Sequence, residues 1–427
     1  MMNPTPRILL TATLRWPLAA RLAIAFADLG CAVEAWCPGG HPLEKTRSVR
    51  RVHRSSATHA LRSLCGAITL AAPDLILPCD DDAALQLGRL HRGLAADSTG
   101  LRRLIENSLG APASCERATR RADVAALAHA QGVRTPQTLP LETDRDIEHW
   151  DGVGAYPALV KRDGSWGGLG VSIVRNPAQA RAAAQRARQP SAWRAAAHFA
   201  LRRDLSHLKQ WWGPRPALTM QRLVAGVPAN RAIACWRGEV LAGISVVALQ
   251  TRSTTGPASV VRVVDHAEME EASRRMVRAL GLSGLCGLDF IIDDSDAAWL
   301  LEVNPRATPI CHLALGPGRD LPGALRARLV GTPVPATPAA VAGEVIAMFP
   351  GEWARDPLSP YLQNAFHDVP WAEIELVREC VDRPWEERGW LARLRAGFDP
   401  SSAAPIAPFP WSAPAAAAPR RDPAARA

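Results

Sequence analysis

Lysine is nearly missing from this chain. Of its 50 basic residues only Lys45, Lys161 and Lys209 are lysines, so a basic position taken at random is arginine roughly nine times in ten, and a lysine beside chemically sensitive residues is informative. The nine cysteines form no CxxC pair and no His/Cys cluster at zinc-like spacing. Neither a disulfide framework nor a structural metal is indicated, and buried free thiols are expected. No uninterrupted apolar run reaches the roughly 18 residues of a membrane span, and the run Ile8 to Leu14, broken by Arg15, is too short for a secretory leader. A cytoplasmic protein without a membrane partner is expected. No Gly-Lys-Ser/Thr closes a Walker A loop, and Thr11-Ala-Thr-Leu-Arg-Trp16 fills the turn where a dinucleotide-binding domain carries GxGxxG. A nucleotide-sugar transferase or an oxidoreductase therefore has no support. There is no internal repeat.

What is present is ordinary soluble composition: 427 residues, 48% hydrophobic and 21% charged, enough for two or three domains. The net charge of +9 is dispersed. Trp193, Trp211 and Trp212 do lie among arginines, as in some nucleic-acid binders. An amphipathic helix pair explains the same pattern, and no nucleic-acid partner is expected. Arg7 to Thr13 reads as a buried strand, Pro17 to Leu29 as a helix stopped by Gly30, and Ala32 to Cys37 as a second strand. A further strand, Asp74 to Cys79, runs into Asp80, Asp81 and Asp82 and a helix from Ala83 to Leu94. Residues 1–112 thus read as a doubly wound α/β domain, whose ligands sit beyond the carboxyl ends of the strands. The three aspartates lie there, and a solvated helix N-terminus explains them equally well. A helix from Arg117 to Ala130 follows, then strand-rich blocks at 156–175 and 218–303 around a helical Arg/Ala stretch.

Two segments carry chemistry. In Cys286-Gly-Leu-Asp-Phe-Ile-Ile-Asp293 and Trp299-Leu-Leu-Glu-Val-Asn-Pro-Arg306, two apolar runs flank an Asp/Ser turn and predict an antiparallel hairpin. Centring the turn between Ser295 and Asp296 puts Asp289 opposite Glu302, with Asn304 on the same face and Leu288, Phe290, Leu301 and Val303 on the other. Carboxylates converging on an apolar sheet call for a cation, and hard oxygen ligands suit nucleotide-bound Mg²⁺. A solvent-facing hairpin with incidental acids explains the same spacing. The second segment is Pro157-Ala-Leu-Val-Lys161 followed by Gly164-Ser-Trp-Gly-Gly-Leu-Gly170. A lysine at a strand end before a glycine-rich loop can place its ammonium, with loop N–H groups, on phosphate oxygens. A bland flexible hairpin is the alternative, and the scarcity of lysine favours function.

In this order the βαβ opening, Gly132-Val-Arg-Thr-Pro136, the lysine and glycine loop, Met220-Gln-Arg-Leu-Val-Ala-Gly226, and Leu288-Asp-Phe with Glu302-Val-Asn-Pro-Arg306 resemble the ATP-grasp superfamily over residues 7–330. The likeness is to its biotin carboxylase and carbamoyl phosphate synthetase large-subunit branch and to amino-acid ligases. It implies an α/β and α+β protein: a doubly wound pre-ATP-grasp domain (1–112), a linker helix and lid subdomain (113–217), and a subdomain for Mg²⁺ and nucleotide (218–330). ATP would lie between the two subdomains, with Lys161 on its phosphates and Gly164, Ser165, Gly167, Gly168 and Gly170 in the lid loop. Gln221, Arg222, Leu223 and Val224 would make main-chain contacts to adenine. Asp289, Glu302 and Asn304 match Mg²⁺ ligands, with Mn²⁺ as a substitute, and Arg306 matches the arginine that steadies the reacting phosphoryl or acyl-phosphate group. The implied activity is a carbon–nitrogen ligase releasing ADP: a carboxylate attacks the γ-phosphate, and an amine or similar nucleophile resolves the acyl phosphate.

The chain departs from the pattern in two places. Arg120 stands where the family usually has a lysine about twelve residues before the glycine matching Gly132, which gives Arg120 a phosphate role by position but a different donor geometry. The hinge has Arg222, Val227 and Pro228 where acids are common, leaving ribose recognition unassigned. The altered hinge motivates a second reading, an ATP-binding protein without ligase activity. Arg252, Arg262, Thr308 and His312 are acceptor-pocket candidates that serve equally well as structural residues. Beyond the resemblance, 331–400 contains a strand at Glu344 to Phe349 and Trp353, Trp371, Trp385 and Trp390, too large and apolar to leave exposed. This segment is expected to fold back on the core or form a subunit interface, a homodimer in the simplest case, unless its prolines make it a separate appendage. The Ala/Pro-rich tail 401–427 is expected to be disordered.

Overall fold

The computed structural model describes residues 5–56, 58–152, 156–164, 170–188, 217–252, 256–333 and 344–382. Ser165, Gly167 and Gly168 of the glycine loop, Trp193, Trp211, Trp212, Trp385 and Trp390, and the tail from Ser401 lie outside the described residues. Three sheets make up the described fold.

The first is parallel, in the order β3-β2-β1-β4, from β1 (Arg7–Thr11), β2 (Ala32–Cys37), β3 (Val49–Arg54) and β4 (Leu75–Pro78). Ile8, Leu9 and Leu10 are all buried because helices cover both faces. Ile8 and Leu10 pack with Phe26 of the helix Leu18–Asp28, whereas Leu9 packs with Leu64 and Ile105 of the helices Ala60–Ala71 and Thr99–Leu109.

The second sheet, β5-β8-β6-β7, is antiparallel: β5 (Thr138–Pro140), β6 (Ala158–Arg162), β7 (Val171–Val174) and β8 (Leu218–Arg222). The helices Asp144–Gly152 and Pro177–Arg188 cover one face, with Ile147, Trp150 and Ala183 against Val160 and Met220. The other face carries Lys161 and Gln221.

The third sheet orders β13-β12-β9-β10-β11-β14-β15, from β9 (Val227–Trp236), β10 (Glu239–Thr251), β11 (Ala258–Val264), β12 (Gly284–Ile292), β13 (Ala298–Asn304), β14 (Val345–Ala347) and β15 (Phe366–His367). Arg237 and Gly238 join β9 to β10 with positive φ at both positions, the backbone of a two-residue hairpin turn matched to strand twist. On one face Leu288 and Phe290 meet Met269 and Met276 of the helix Ala267–Leu280. On the other, Ala232, Ile244 and Val261 share a core with Leu10 and Phe26 of the first sheet's layer. The segment 344–382 belongs to this body: β14 pairs with β11, and Ile346 and Leu376 enter the same core. Trp353 is buried beside Phe349 and Val377.

One helix departs from expectation. The span Arg117 to Ala130 breaks into Pro112–Ala118 and Arg121–Ala130, with Arg120 extended between them as the second helix's N-cap. Among the described residues no helix is long and apolar enough to cross a membrane.

Candidate functional site

The hairpin β12–β13 pairs Gly287 with Asn304, Leu288 with Val303 and Asp289 with Glu302, the register expected from the period of two. Nearer the turn the register shifts, so that Phe290 faces Leu300 and Ile291 faces Trp299. A bulge at Leu301 absorbs the extra residue. The expected core position of Leu301 is therefore wrong: Leu300 is fully buried in the core and Leu301 is only half-buried. The turn explains the slip. Asp293 Oδ1 accepts from the amides of Ser295 and Ala297 and from the Ser295 hydroxyl, and its Oδ2 accepts from Trp299 Nε1, which fixes a five-residue loop centred on Ser295.

Asp289 and Glu302 meet carboxyl to carboxyl, and neither stands alone. Asn230 Nδ2 on β9 donates to Asp289 Oδ1 at 2.6 Å, and Asn304 Nδ2 donates to Asp289 Oδ2 at 2.9 Å. Glu302 Oε2 accepts from Arg121 Nε at 3.1 Å and Nη2 at 2.7 Å. The environments push the pair apart. Burial and the neighbouring charge of Glu302 raise the pKa of Asp289; burial also acts to raise that of Glu302, but Arg121 and Lys161 outweigh it and hold Glu302 low. Asn230 gave no signal in the sequence, and only strand pairing, Asp289 with Asn230, brings it here.

Lys161, next to last in β6, lies opposite Thr219 and is buried, its Nζ donating to Gln221 Oε1 at 2.6 Å. Gln221 Nε2 in turn donates to Thr138 Oγ1 at 2.9 Å. Burial pushes the ammonium down to about 8, against the pull of Glu302 and Asp289. The second sheet thus brings one cation within electrostatic reach of the two carboxylates of the third sheet.

Arg120 and Arg306 are placed otherwise than their proposed roles suggest. The Arg120 side chain is 60% exposed and pairs with Glu116 and Asp123. It is Arg121, one residue on, that turns inward and joins the subdomains, with Nη1 donating to Arg162 O at 2.8 Å and to Asp163 Oδ1 at 3.3 Å. Arg120 is the extended N-cap and Arg121 the first residue of the helix, so the two side chains leave the backbone in different directions. Arg306 is buried and forks onto Asp81 of the first domain, Nε to Oδ1 at 2.8 Å and Nη2 to Oδ2 at 3.2 Å. Its Nη2 also donates to Asn304 Oδ1 at 3.2 Å, so the Asn304 oxygen faces Arg306 and its NH₂ faces Asp289. Asp81 and Asp80 part ways: Asp80 caps its own helix at Ala83 N and also accepts from Thr13 N and Leu14 N.

In the hinge, the amides of Arg222 and Leu223 donate to Gln137 O and Pro157 O, while Val224 is half-buried. Gly226 has a φ of +152°, and a Cβ there would sit 2.2 Å from Ile292 O, so only glycine lets the hinge pass the end of β12. Gly164 and Gly170, at φ of +70° and +77°, frame the loop whose centre lies outside the described residues. Of the acceptor candidates, Thr308 packs over Gly287, where a Cβ would lie 2.2 Å from Thr308 Cγ2, and His312 Nε2 shares a 2.7 Å hydrogen bond with Asp368. Arg252 and Arg262 are exposed.

The described residues fit a divalent cation held jointly with a nucleotide. No group of three or more His, Cys, Asp or Glu is placed among them to hold a metal alone. Asp289 and Glu302 supply hard oxygens, and Asn230 Oδ1 is a buried acceptor without a hydrogen-bond partner.

No curated protein sequence matches this chain. Residues 224–309 match the family model of the ATP-grasp domain. Among solved structures, N5-carboxyaminoimidazole synthetase from Staphylococcus aureus, complexed with ADP, superimposes with a TM-score of 0.54 at 13% identity, over 78% of this chain and 80% of that one. The L-amino acid ligase of Bacillus licheniformis gives 0.53 at 14% identity over 77% and 76%. The biotin carboxylase domain of the Hydrogenobacter thermophilus 2-oxoglutarate carboxylase, in complex with MgADP and bicarbonate, gives 0.53 at 14% over 79% and 72%. The matched segment takes in the end of the hinge, the carboxylate hairpin and Arg306, and the chain as a whole shares the fold of these three solved structures.

Proposed function

We propose that the chain is an ATP-dependent ligase that activates a small carboxylate as its acyl phosphate and passes it to an amine or similar nucleophile. The observation that carries this reading is the facing of a buried lysine, Lys161, and a carboxylate pair, Asp289 and Glu302, from two different sheets. In this reading the nucleotide lies between them, its base along Gln221–Val224 and its phosphates toward Lys161 and the loop from Gly164 to Gly170. Asp289 and Glu302, with Asn230 or Asn304, would hold Mg²⁺. When bound, that ion neutralises phosphate charge and polarises the transferred phosphoryl group. Arg121, which donates to Glu302 through Nη2, would share the phosphate charge with Lys161. Arg306, gripped by Asp81, would steady the reacting phosphoryl or acyl-phosphate group at the far end of the site. The structural neighbours act on or bind an imidazole ribonucleotide precursor, amino acids and bicarbonate by their names, which brackets the carboxylate and nucleophile classes to screen.

A second reading, nucleotide binding without ligation, draws on Arg306, whose charge is already matched by Asp81. A dinucleotide site in the first domain is disfavoured, because Asp80 already occupies the amides of Thr13 and Leu14 at the end of β1. The test is ADP release screened across amino acids, dipeptides, bicarbonate and other small carboxylates. Turnover with any of them supports the ligase. Nucleotide binding without release across the whole screen leaves the second reading in its place.

A further inference from the structure

Asp81, Arg306, Asn304 and Asp289 form an unbroken hydrogen-bonded chain from the first domain to the carboxylate pair. Its direction is fixed by chemistry. A guanidinium only donates and an ionised carboxylate only accepts, so the Asn304 amide between them has one satisfiable orientation, oxygen to Arg306 and nitrogen to Asp289. Arg306 is buried at 7% exposure, and after Asp81 the opposite charges that act on it are those of Asp289 and Glu302. A buried guanidinium stripped of its counter-ion is an uncompensated charge, and it is drawn to whichever carboxylate its side chain can reach. Here that carboxylate is the pair the site keeps for its cation. Asp81 is itself held in place: it begins the helix Asp81–Gly93 directly after Asp80, whose carboxylate is bonded to the amides of Thr13, Leu14 and Ala83.

We propose that Asp81 is a positioning residue: by gripping Arg306 it keeps that cation off Asp289 and Glu302 and aims the Asn304 amide, so that Asp289 is presented to a divalent cation. The inference rests on the cation site proposed above and adds to it a residue of another domain. Partners that orient metal-ligating carboxylates typically govern metal affinity by about 10- to 100-fold.

The test uses the full chain, with ADP as nucleotide and Mn²⁺ as the probe read by electron paramagnetic resonance. In saturating ADP, Asp81→Asn is expected to weaken Mn²⁺ binding by about tenfold or more, while ADP affinity measured in EDTA stays within about twofold of wild type. The double variant Asp81→Asn with Arg306→Gln removes the cation that would turn on Asp289, and is expected to recover most of the lost Mn²⁺ affinity. A merely structural loss at the domain contact predicts no recovery, so equal weakness of single and double variants overturns the proposal, as does wild-type Mn²⁺ affinity in Asp81→Asn. Should Asp81→Asn not fold, Asp81→Glu is read in the same titration, where a displaced carboxylate is expected to weaken Mn²⁺ binding and unchanged affinity overturns the inference. A wild-type chain that binds ADP but takes up no Mn²⁺ overturns the cation site, and this proposal with it.

Discussion

Lys161 is buried near a strand end with Gln221 as its hydrogen-bond partner, and Glu302 lies across from it under the guanidinium of Arg121. Lys161→Ala and Glu302→Ala are each expected to cut ADP release by about two orders of magnitude or more while leaving the circular dichroism unchanged. Near wild-type release from either variant removes that residue from the machinery. Burial holds the Lys161 ammonium down to about 8, so the group is charged at neutral pH and loses its proton as pH rises through that value. Phosphate favours the charged form, and ADP affinity in EDTA is expected to fall above about pH 8 in the wild type but not in Lys161→Ala. For folding the sign reverses: between about 8 and the unfolded value of 10.5 the unfolded chain holds more protons, so this group's contribution to stability rises with pH there. Lys161 stood out in the sequence because lysine is rare in it. Arg121, Asp81 and Asn230 did not, for separate reasons: a break between two helices that leaves Arg120 outside and starts the second helix at Arg121, an acid that caps a helix start as readily as it grips an arginine, and an amide on a strand whose partner only the sheet order reveals.

At the scale of elements, the pairing of Asp289 with Glu302 was legible because side-chain alternation survives any turn that restores the register. The bulge at Leu301 was not, since it depends on how many acceptors Asp293 offers the turn rather than on apolar pattern. The joining of sheets was equally hidden. Gly284 opens β12 with a φ of +83°, and a Cβ there would lie 2.3 Å from Ser108 O, on the helix Thr99–Leu109. Ser108 Oγ also accepts from Ile76 N of β4, so helix, parallel sheet and hairpin meet at one small residue. Gly284→Ala is expected to destabilise the chain by about 1–3 kcal/mol, through backbone strain and overpacking, in urea titrations. Wild-type stability would show that the approach of helix to strand is not tight.

Across the whole molecule, the segment 344–382 closes the third sheet and returns to the first domain. Asp368 pairs with Arg21 of the helix Leu18–Asp28 and with His312, and Glu373 accepts from Arg47 N and the Ser48 hydroxyl. Truncation after Val330 is therefore expected to expose the apolar face around Val261 and cost solubility, and a soluble, fully stable 1–330 fragment would reject this account. Burial raises the pKa of Asp368, but Arg21 and His312 outweigh it and hold the carboxyl below its ordinary 3.8. Its contribution is present above that value and is lost as pH falls through the lower folded one, so Asp368→Asn is expected to flatten the acid limb of thermal stability between about pH 5 and pH 3. The chain that ties Asp81 to Asp289, and the bridge from Glu302 through Arg121 to the second sheet, join all three sheets around one proposed nucleotide site. Calorimetric titration of ADP into the full chain, with Mg²⁺ and in EDTA, tests that site most directly. The account predicts binding at least about tenfold tighter with Mg²⁺, a difference abolished in Asp289→Asn and Glu302→Gln; absence of ADP binding under both conditions would contradict it.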